Sequence, residues 1–245
     1  MPEQRFTFPV AGLQAAHTRA REMCRFDWLR IPDNLTLDPT PVLAAFDCLW
    51  VKPGWVLCAY VRWGGHGADA RVVALPQDHK APEDELRVPF AMLTELGDDE
   101  PYVSGCWDEE VEVPPEARRR FMSVVEGDGT PYSYLCASLA VRHLLDFAAF
   151  WHDLYEHDFF EHRIVAEWPS ELAESYIRFS TPQDLSAPEV EIDGGAVTTR
   201  FYTYRPPTFV DEEVWRHEDR YEAGSYEPLM RRALVALGRR ATRCY

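Results

Sequence analysis

Glu189-Val190-Glu191-Ile192-Asp193-Gly194-Gly195-Ala196-Val197-Thr198-Thr199-Arg200-Phe201-Tyr202-Thr203-Tyr204-Arg205 sets the fold class. Glu189 to Ile192 and Ala196 to Arg205 are rich in β-branched and aromatic residues, which suit a pleated strand. Asp193-Gly194-Gly195 between them supplies residues that tolerate the positive φ of a tight hairpin turn. Pro206-Pro207 ends the second strand, since proline has no amide to donate to a ladder. Beyond it, Val214 to Tyr221 reads as a last strand, with Trp215, His217, Asp219 and Tyr221 alternating to one face. Ser225-Tyr226-Glu227-Pro228 then reads as the start of a C-terminal helix, with an N-cap serine, an acid and a proline where a first turn tolerates them.

Towards the N-terminus, Pro169 to Pro188 is connection and Ile164 to Trp168 a short strand. The longest helix is expected over Ser133 to Phe160. Leu144, Phe147, Ala148, Trp151, Leu154 and Tyr155 recur at the helical period, and Leu139, Val141, Leu145 and Phe150 make it apolar around its girth, as a core helix is. Gly127-Asp128-Gly129-Thr130-Pro131 is the turn leading into it, and Phe121 to Val125 a strand before that. Phe46 to Val51 and Trp55 to Trp63 read as a hairpin about Lys52-Pro53-Gly54, followed by a strand over Ala70 to Leu75. Trp55, Leu57, Ala59, Val61 and Trp63 point one way and Val56, Cys58 and Tyr60 the other, predicting a central strand buried on both faces. Ala11 to Asp27 has the spacing of a helix. Local hairpins with separated helices, and no regular β–α alternation, make the class α+β: a mostly antiparallel sheet packed on a long central helix, with N- and C-terminal helices, in a single domain over residues 1–245.

Among the 245 residues, 46% are apolar and 13% aromatic, which excludes intrinsic disorder over most of the length and provides for a sizeable core. Apolar runs stay short of the ~18–20 residues of a membrane helix, and Met1-Pro2-Glu3-Gln4-Arg5 lacks the basic and apolar regions of a secretory leader. A cytoplasmic location with no membrane contact is expected. The six cysteines form no C-x-x-C pair and read as buried free thiols; Cys48 and Cys58, flanking the Lys52-Pro53-Gly54 turn, could face each other across a hairpin.

Charge is the clearest global feature. The net charge is −16, and from Glu83 to Glu116 twelve acidic residues stand against one arginine, Arg87. Acids there alternate with large apolar residues, as in Trp107-Asp108-Glu109-Glu110-Val111-Glu112-Val113, whereas a purely solvating tail has few aromatics. An ordered acidic surface steers basic partners, so Trp107, Asp108, Glu109, Glu110 and Glu112 are the candidate binding residues and a basic protein the candidate partner. Direct nucleic-acid binding is not expected, since neutralising phosphates requires a basic face. A second acidic stretch, Asp153 to Glu174, holds seven acids against Arg163, with His152, His157 and His162 interleaved, whereas Arg231 to Tyr245 has five arginines and no acid.

Three neighbourhoods have the residue types of catalysis. Asp153, His157 and Glu161 are spaced i, i+4, i+8 and would share a face of a continuing helix, but successive turns spread them over about 12 Å, so at most two, Asp153 and His157, could reach one metal ion. Trp63-Gly64-Gly65-His66-Gly67 sets His66 among glycines whose amides could receive an anion. His217 and Asp219, two apart on the last strand, could form the base and orienting acid of a relay, but an identifiable nucleophile is missing: Ser133, Ser138 and Cys136, near the start of the long helix, are of the right type without a nucleophile-elbow context. The first reading is a non-enzymatic acidic binding protein, an inhibitor or immunity-type module. The alternative is a hydrolase-like or metal-assisted enzyme using some combination of His66, His157 and His217. The sequence does not name a cofactor.

Overall fold

The computed structural model describes residues 3–24, 36–64, 67–79, 116–147, 150–151, 159, 162–170, 177–178, 185–207 and 212–238. Their strands in chain order are β1 (Gln4–Thr7), β2 (Thr36–Leu37), β3 (Leu49–Val51), β4 (Trp55–Gly64), β5 (Gly67–Pro76), β6 (Val125–Gly127), β7 (Phe150–Trp151), β8 (Arg163–Val165), β9 (Ile177–Arg178), β10 (Glu189–Asp193), β11 (Ala196–Arg205), β12 (Glu213–Glu222) and β13 (Leu229–Leu237). The α-helices are α1 (Val10–Met23), α2 (Thr40–Ala44) and α3 (Pro131–Leu145). The chain is therefore mixed α and β with more strand than helix, and its sheets are mostly antiparallel. Two compact units are present. One comprises Met1–Thr18, Gly127–Leu139 and Asp158–Tyr245; the other comprises Arg19–Glu126 and Ala140–His157.

The first unit holds a sheet in the order β1-β10-β11-β12-β13-β9, with β8 pairing β11 beyond the end of β10. Its nucleus is the expected hairpin: Asp193 pairs with Ala196 and Glu189 with Arg200, and Gly194 and Gly195 take φ of 56° and 108° as the turn requires. β11 and β12 pair along their whole length, from Ala196↔Glu222 to Arg205↔Glu213. Odd-numbered β11 residues, Val197 to Arg205, are all buried, and so are His217, Asp219 and Tyr221 of β12. Trp215, predicted to share their face, is only half-buried. At one end the opposite face is also covered: Tyr202, Tyr204, Val214 and Ala236 pack with Leu185 and Val235, against Val165 and Trp168. Elsewhere that face carries ions. Arg200 bonds Glu191 at 2.8 Å, Glu218 at 3.0 Å and Glu189 at 3.2 Å.

The start of α3 explains its turn. Asp128 Oδ1 accepts from the Thr130 amide (2.9 Å) and hydroxyl (2.7 Å), and Thr130 Oγ1 accepts from the Ser133 amide, so the loop caps the helix. Ser133 is also bonded to Tyr226, whose hydroxyl takes the Gly129 amide and whose ring stacks on Tyr134 at 4.7 Å.

In the second unit β2-β4-β5-β7 form one sheet and β3-β6 another. β4 and β5 pair from Trp55↔Pro76 to Gly64↔Gly67. Val42, Leu43 and Phe46 are buried about α2, Arg19 donates to the Ala45 carbonyl at 2.8 Å, and Lys52 to that of Ser123 at 2.8 Å.

Several sequence expectations are corrected. The long central helix over Ser133 to Phe160 ends at Leu145, and Phe150–Trp151 pair with Gly67–Ala68 as strand. Apolar residues on every side removed the contrast that marks a helix end, and aromatics favour a pleated surface. The C-terminal helix is instead β13, paired with β12 from Arg220↔Leu229 to Glu213↔Leu237. Its Leu, Met, Arg and Ala favour helix by only tenths of a kcal/mol each, which a ladder outweighs. Ser225 Oγ does accept the Glu227 amide, at 3.3 Å, but as a turn contact. The Lys52-Pro53-Gly54 turn exists, yet Leu49–Val51 ladders with Val125–Gly127 rather than with β4. Cys48 and Cys58 accordingly do not face each other across a ladder and are free thiols, with burial pushing Cys58 up to about 11. Phe121–Val124 is a 3-10 turn rather than strand. β4 is flanked by strands on both sides as predicted, but Val56 is exposed, so its second face is not fully covered.

The Arg200 cluster yields a pH-resolved test. The Arg200 hydrogen bond first, then the attraction of Arg200 and Arg5, holds the Glu191 carboxyl below the usual carboxylate range against its partial desolvation. A lowered folded-state value stabilises above the unfolded value and is lost as pH falls through the folded one. Arg200→Met, leaving three carboxylates facing one another, is expected to cost about 1–2 kcal/mol at pH 7, the range between surface and buried ion pairs. Urea denaturation should show the deficit shrinking below about pH 4, as those carboxylates protonate.

Candidate functional site

The predicted base and acid of a relay lie on the covered face of the β11–β12 ladder. His217 is 2% exposed and Asp219 0%. The His217 ring stacks on Phe201, its cross-strand partner, at 4.7 Å and 14°, and meets the edge of Phe159 at 6.0 Å. Its Nε2 lies 2.8 Å from Thr203 Oγ1. That same hydroxyl is 2.7 Å from Nδ1 of His162, which is 3% exposed. His162 in turn offers its carbonyl to His17 Nε2 at 2.8 Å, and the His17 ring abuts Phe159 at 5.1 Å.

Hydrogen-bond chemistry constrains this chain. A carbonyl has no proton, so His17 donates from Nε2. When the Thr203 hydroxyl donates to one imidazole nitrogen, the other imidazole must donate to it, so the tautomers of His162 and His217 are coupled through one oxygen. Beside it runs a second buried chain: Ser138 Oγ is 2.8 Å from Thr199 Oγ1 and 2.7 Å from Tyr221 Oη, and Tyr221 donates to the Tyr134 carbonyl at 3.1 Å. Ser138, Ser133 and Cys136, the nucleophile types named from sequence, are all buried. These groups bond to one another inside the sheet's cover, which is what burying polar atoms requires. Substrate chemistry requires hydrogen-bond reach to a bound molecule, and the His217 ring is 2% exposed with Phe201 stacked on one face.

The sequence placed His217 and Asp219 on one covered face, and the structure puts them there. It did not place Thr203, His162 and His17. Thr199 and Thr203, both at odd-numbered positions of an apolar strand, were the available sign, because a buried threonine needs a partner. His66, Asp153, His157, Trp107, Asp108, Glu109, Glu110 and Glu112 lie outside the described residues. Among the described residues no three His, Cys, Asp or Glu side chains are grouped to hold a metal ion.

What the second unit does describe is both ends of the acidic segment. Ala74 of β5 and Arg118 exchange backbone hydrogen bonds of 3.0 and 2.8 Å. His79 Nδ1 donates to Glu116 Oε1 at 2.6 Å. Glu116 is held below its ordinary range by its own backbone amide first, with His79 adding to it, despite some desolvation. The Arg118 guanidinium lies 3.9 Å over the Trp55 ring. The chain thus leaves at His79 and returns at Glu116 at one clamp, with eleven of the twelve acids of Glu83–Glu116 between.

Set against protein-family models, curated proteins and solved structures, the chain matches none.

The Thr203 bridge is tested by two substitutions. Thr203→Val keeps the shape and removes a hydrogen-bond partner from two buried ring nitrogens, with an expected cost of about 2–3 kcal/mol. Thr203→Ser keeps the hydroxyl and is expected to cost about 1 kcal/mol, a lost methyl. Equal costs in urea denaturation would show that the hydroxyl carries no weight.

Proposed function

We propose that this chain is a non-enzymatic acidic binding protein, an inhibitor or immunity-type module, that engages a basic partner protein through Glu83–Glu116, with Trp107, Asp108, Glu109, Glu110 and Glu112 at the contact. One observation carries the reading: the clamp of Ala74 with Arg118 and His79 with Glu116 ties both ends of the acidic segment to β5. Binding residues sit disproportionately on excursions whose ends a rigid scaffold holds together. Tying the ends lowers the entropy that the segment loses on binding, so more of its charge attraction appears as affinity. The concentration of acids there also gives a basic partner a steering field that a dispersed charge would not.

The hydrolase-like or metal-assisted alternative draws less support. It called on some combination of His66, His157 and His217, of which His217 is 2% exposed, with its ring on Phe201 and its Nε2 2.8 Å from the Thr203 hydroxyl. No helix among the described residues is long and apolar enough to cross a membrane.

The test is a quantitative pull-down from source-cell extract with the wild-type chain and with Asp108→Asn, Glu109→Gln, Glu110→Gln combined. A basic protein retained at about 0.05 M salt and released at about 0.5 M, where screening shortens to a few ångströms, is expected for the wild type. The triple variant should lose that protein while keeping the wild-type urea midpoint. Equal retention by both chains at low salt sinks the assignment of the contact to this segment.

A further inference from the structure

The covered face of β11 and β12 gathers three imidazoles that the proposed binding role does not use, and one phenyl ring touches all of them. Phe159 lies 5.1 Å from the His17 ring, 5.8 Å from that of His162 and 6.0 Å from that of His217, and the three histidines are 1%, 3% and 2% exposed. They also tie together separate parts of the first unit. His217 on β12 bonds Thr203 on β11, Thr203 bonds His162 just ahead of β8, and the His162 carbonyl accepts from His17 on α1. Gln14 of the same helix accepts the Ile164 amide at 2.7 Å, so both α1 side chains reach one short segment. That segment joins the sheet through the pairing of Arg163, Ile164 and Val165 with β11.

The Thr203 hydroxyl limits how many protons this arrangement carries. With both rings neutral, one imidazole donates to Oγ1 and Oγ1 donates to the other. One added proton preserves that pattern, because the charged ring donates to Oγ1 and the hydroxyl donates to the ring still neutral. A second makes donors of both facing nitrogens, so the hydroxyl proton loses its acceptor between them. It also sets like charges on two buried rings whose centroids are 6.5 Å apart.

The charged groups around the pair offset one such charge and not two. On β12, Asp219 is the fully buried carboxylate of this face, two residues from His217. On β11, Arg205 has the opposite sign and is bound by Glu213 at 2.7 Å. Glu212 bonds Tyr204, and Arg163 lies over the Tyr204 ring, which packs on the other face of the sheet. From α1 come His17 and the uncharged Gln14, and from α3 the hydroxyl of Ser138 and the carbonyl of Tyr134. Asp158 and Glu161 lie outside the described residues.

We propose that the His162–Thr203–His217 bridge is an acid-sensitive latch, which holds β8 and the His17 turn of α1 on the sheet near neutral pH and releases them when the pair takes a second proton. Once released, each imidazole takes a proton at its ordinary value of about 6.5, so the open form binds more protons than the latched one. The latched form therefore has its full stability above that value and loses it as pH falls below. Histidine is the side chain whose ordinary titration falls in this window. The latch lies in the first unit and operates whatever the acidic segment binds.

The experiment is hydrogen–deuterium exchange of the full chain at about pH 7.5 and about pH 5.5, corrected for the intrinsic pH dependence of amide exchange. Peptides covering residues 10–18 and 162–165 are expected to lose protection about tenfold at the lower pH, the factor for one proton that the latched form does not take, one unit below its ordinary value. His217→Gln and His162→Gln each keep a group that both donates and accepts but takes no proton. Both variants should hold the ratio of the two protections within about twofold of unity, even where their protection at pH 7.5 is lower. If neither variant folds, ring-15N spectra of the histidine-labelled wild type decide: in the folded protein at pH 5.5, His162 and His217 should share a single charge. Unchanged wild-type protection at pH 5.5, the same loss in the wild type and in both variants, or two fully charged rings in the folded protein would each overturn the proposal.

Discussion

The β11–β12 ladder is the constraint from which the first unit follows. Ten paired positions fix which side chains of both strands turn inward, and a slip of one residue would exchange every inward side chain for an outward one. What turns inward is unusual for a core face: Thr199 and Thr203 on one strand, His217 and Asp219 on the other, alongside Val197, Phe201 and Tyr221. Each buried polar group costs about 1–3 kcal/mol if it lacks a partner, so this face is stable only with the matching donors and acceptors above it. Ser138 and Tyr134 on α3 and His162 beside β8 supply such partners, and His17 on α1 in turn holds the His162 carbonyl. Directional bonds tolerate less sliding than apolar contacts do, so the polar seam fixes where those elements lie on the sheet.

Why the sequence revealed some of this and not the rest follows from the range over which each interaction acts. The Glu189–Arg205 hairpin was legible because its turn chemistry and its alternation are local. The inward set of His217, Asp219 and Tyr221 followed from period two alone. The partners of that set were not legible, since Ser138 and His162 lie far along the chain from the strand they bond, and a threonine does not announce whether its hydroxyl faces a core. The two misjudged helices fail for related reasons. Beyond Leu145 the apolar residues serve a strand pairing with Gly67–Ala68. In Leu229–Leu237 the composition favours helix, and the neighbouring edge of β12, not any residue within the segment, makes it a strand. As for the candidate site, the acidic run was plain in the sequence, while the clamp at its base was not: it depends on Ala74, His79, Glu116 and Arg118 meeting across a long separation.

Polar residues therefore have two opposite uses in this chain, and burial separates them. The histidines and hydroxyls of the first unit are spent on one another inside the sheet. The charged residues on the other face of the same sheet are only partly buried, and they pair acid with base. Within the sheet itself the charges are balanced locally, as where Arg200 gathers Glu189, Glu191 and Glu218, so those contribute to the fold and little to any long-range field.

The clamp at His79 and Glu116 bears on the proposed reading through its ends alone. Eleven acidic residues of the sequence lie between these two side chains, which meet at 2.6 Å. Under that reading, like charges carried on a segment whose ends are held together would favour a cationic partner over a neutral one of equal shape, giving selectivity by charge before any detailed fit is considered.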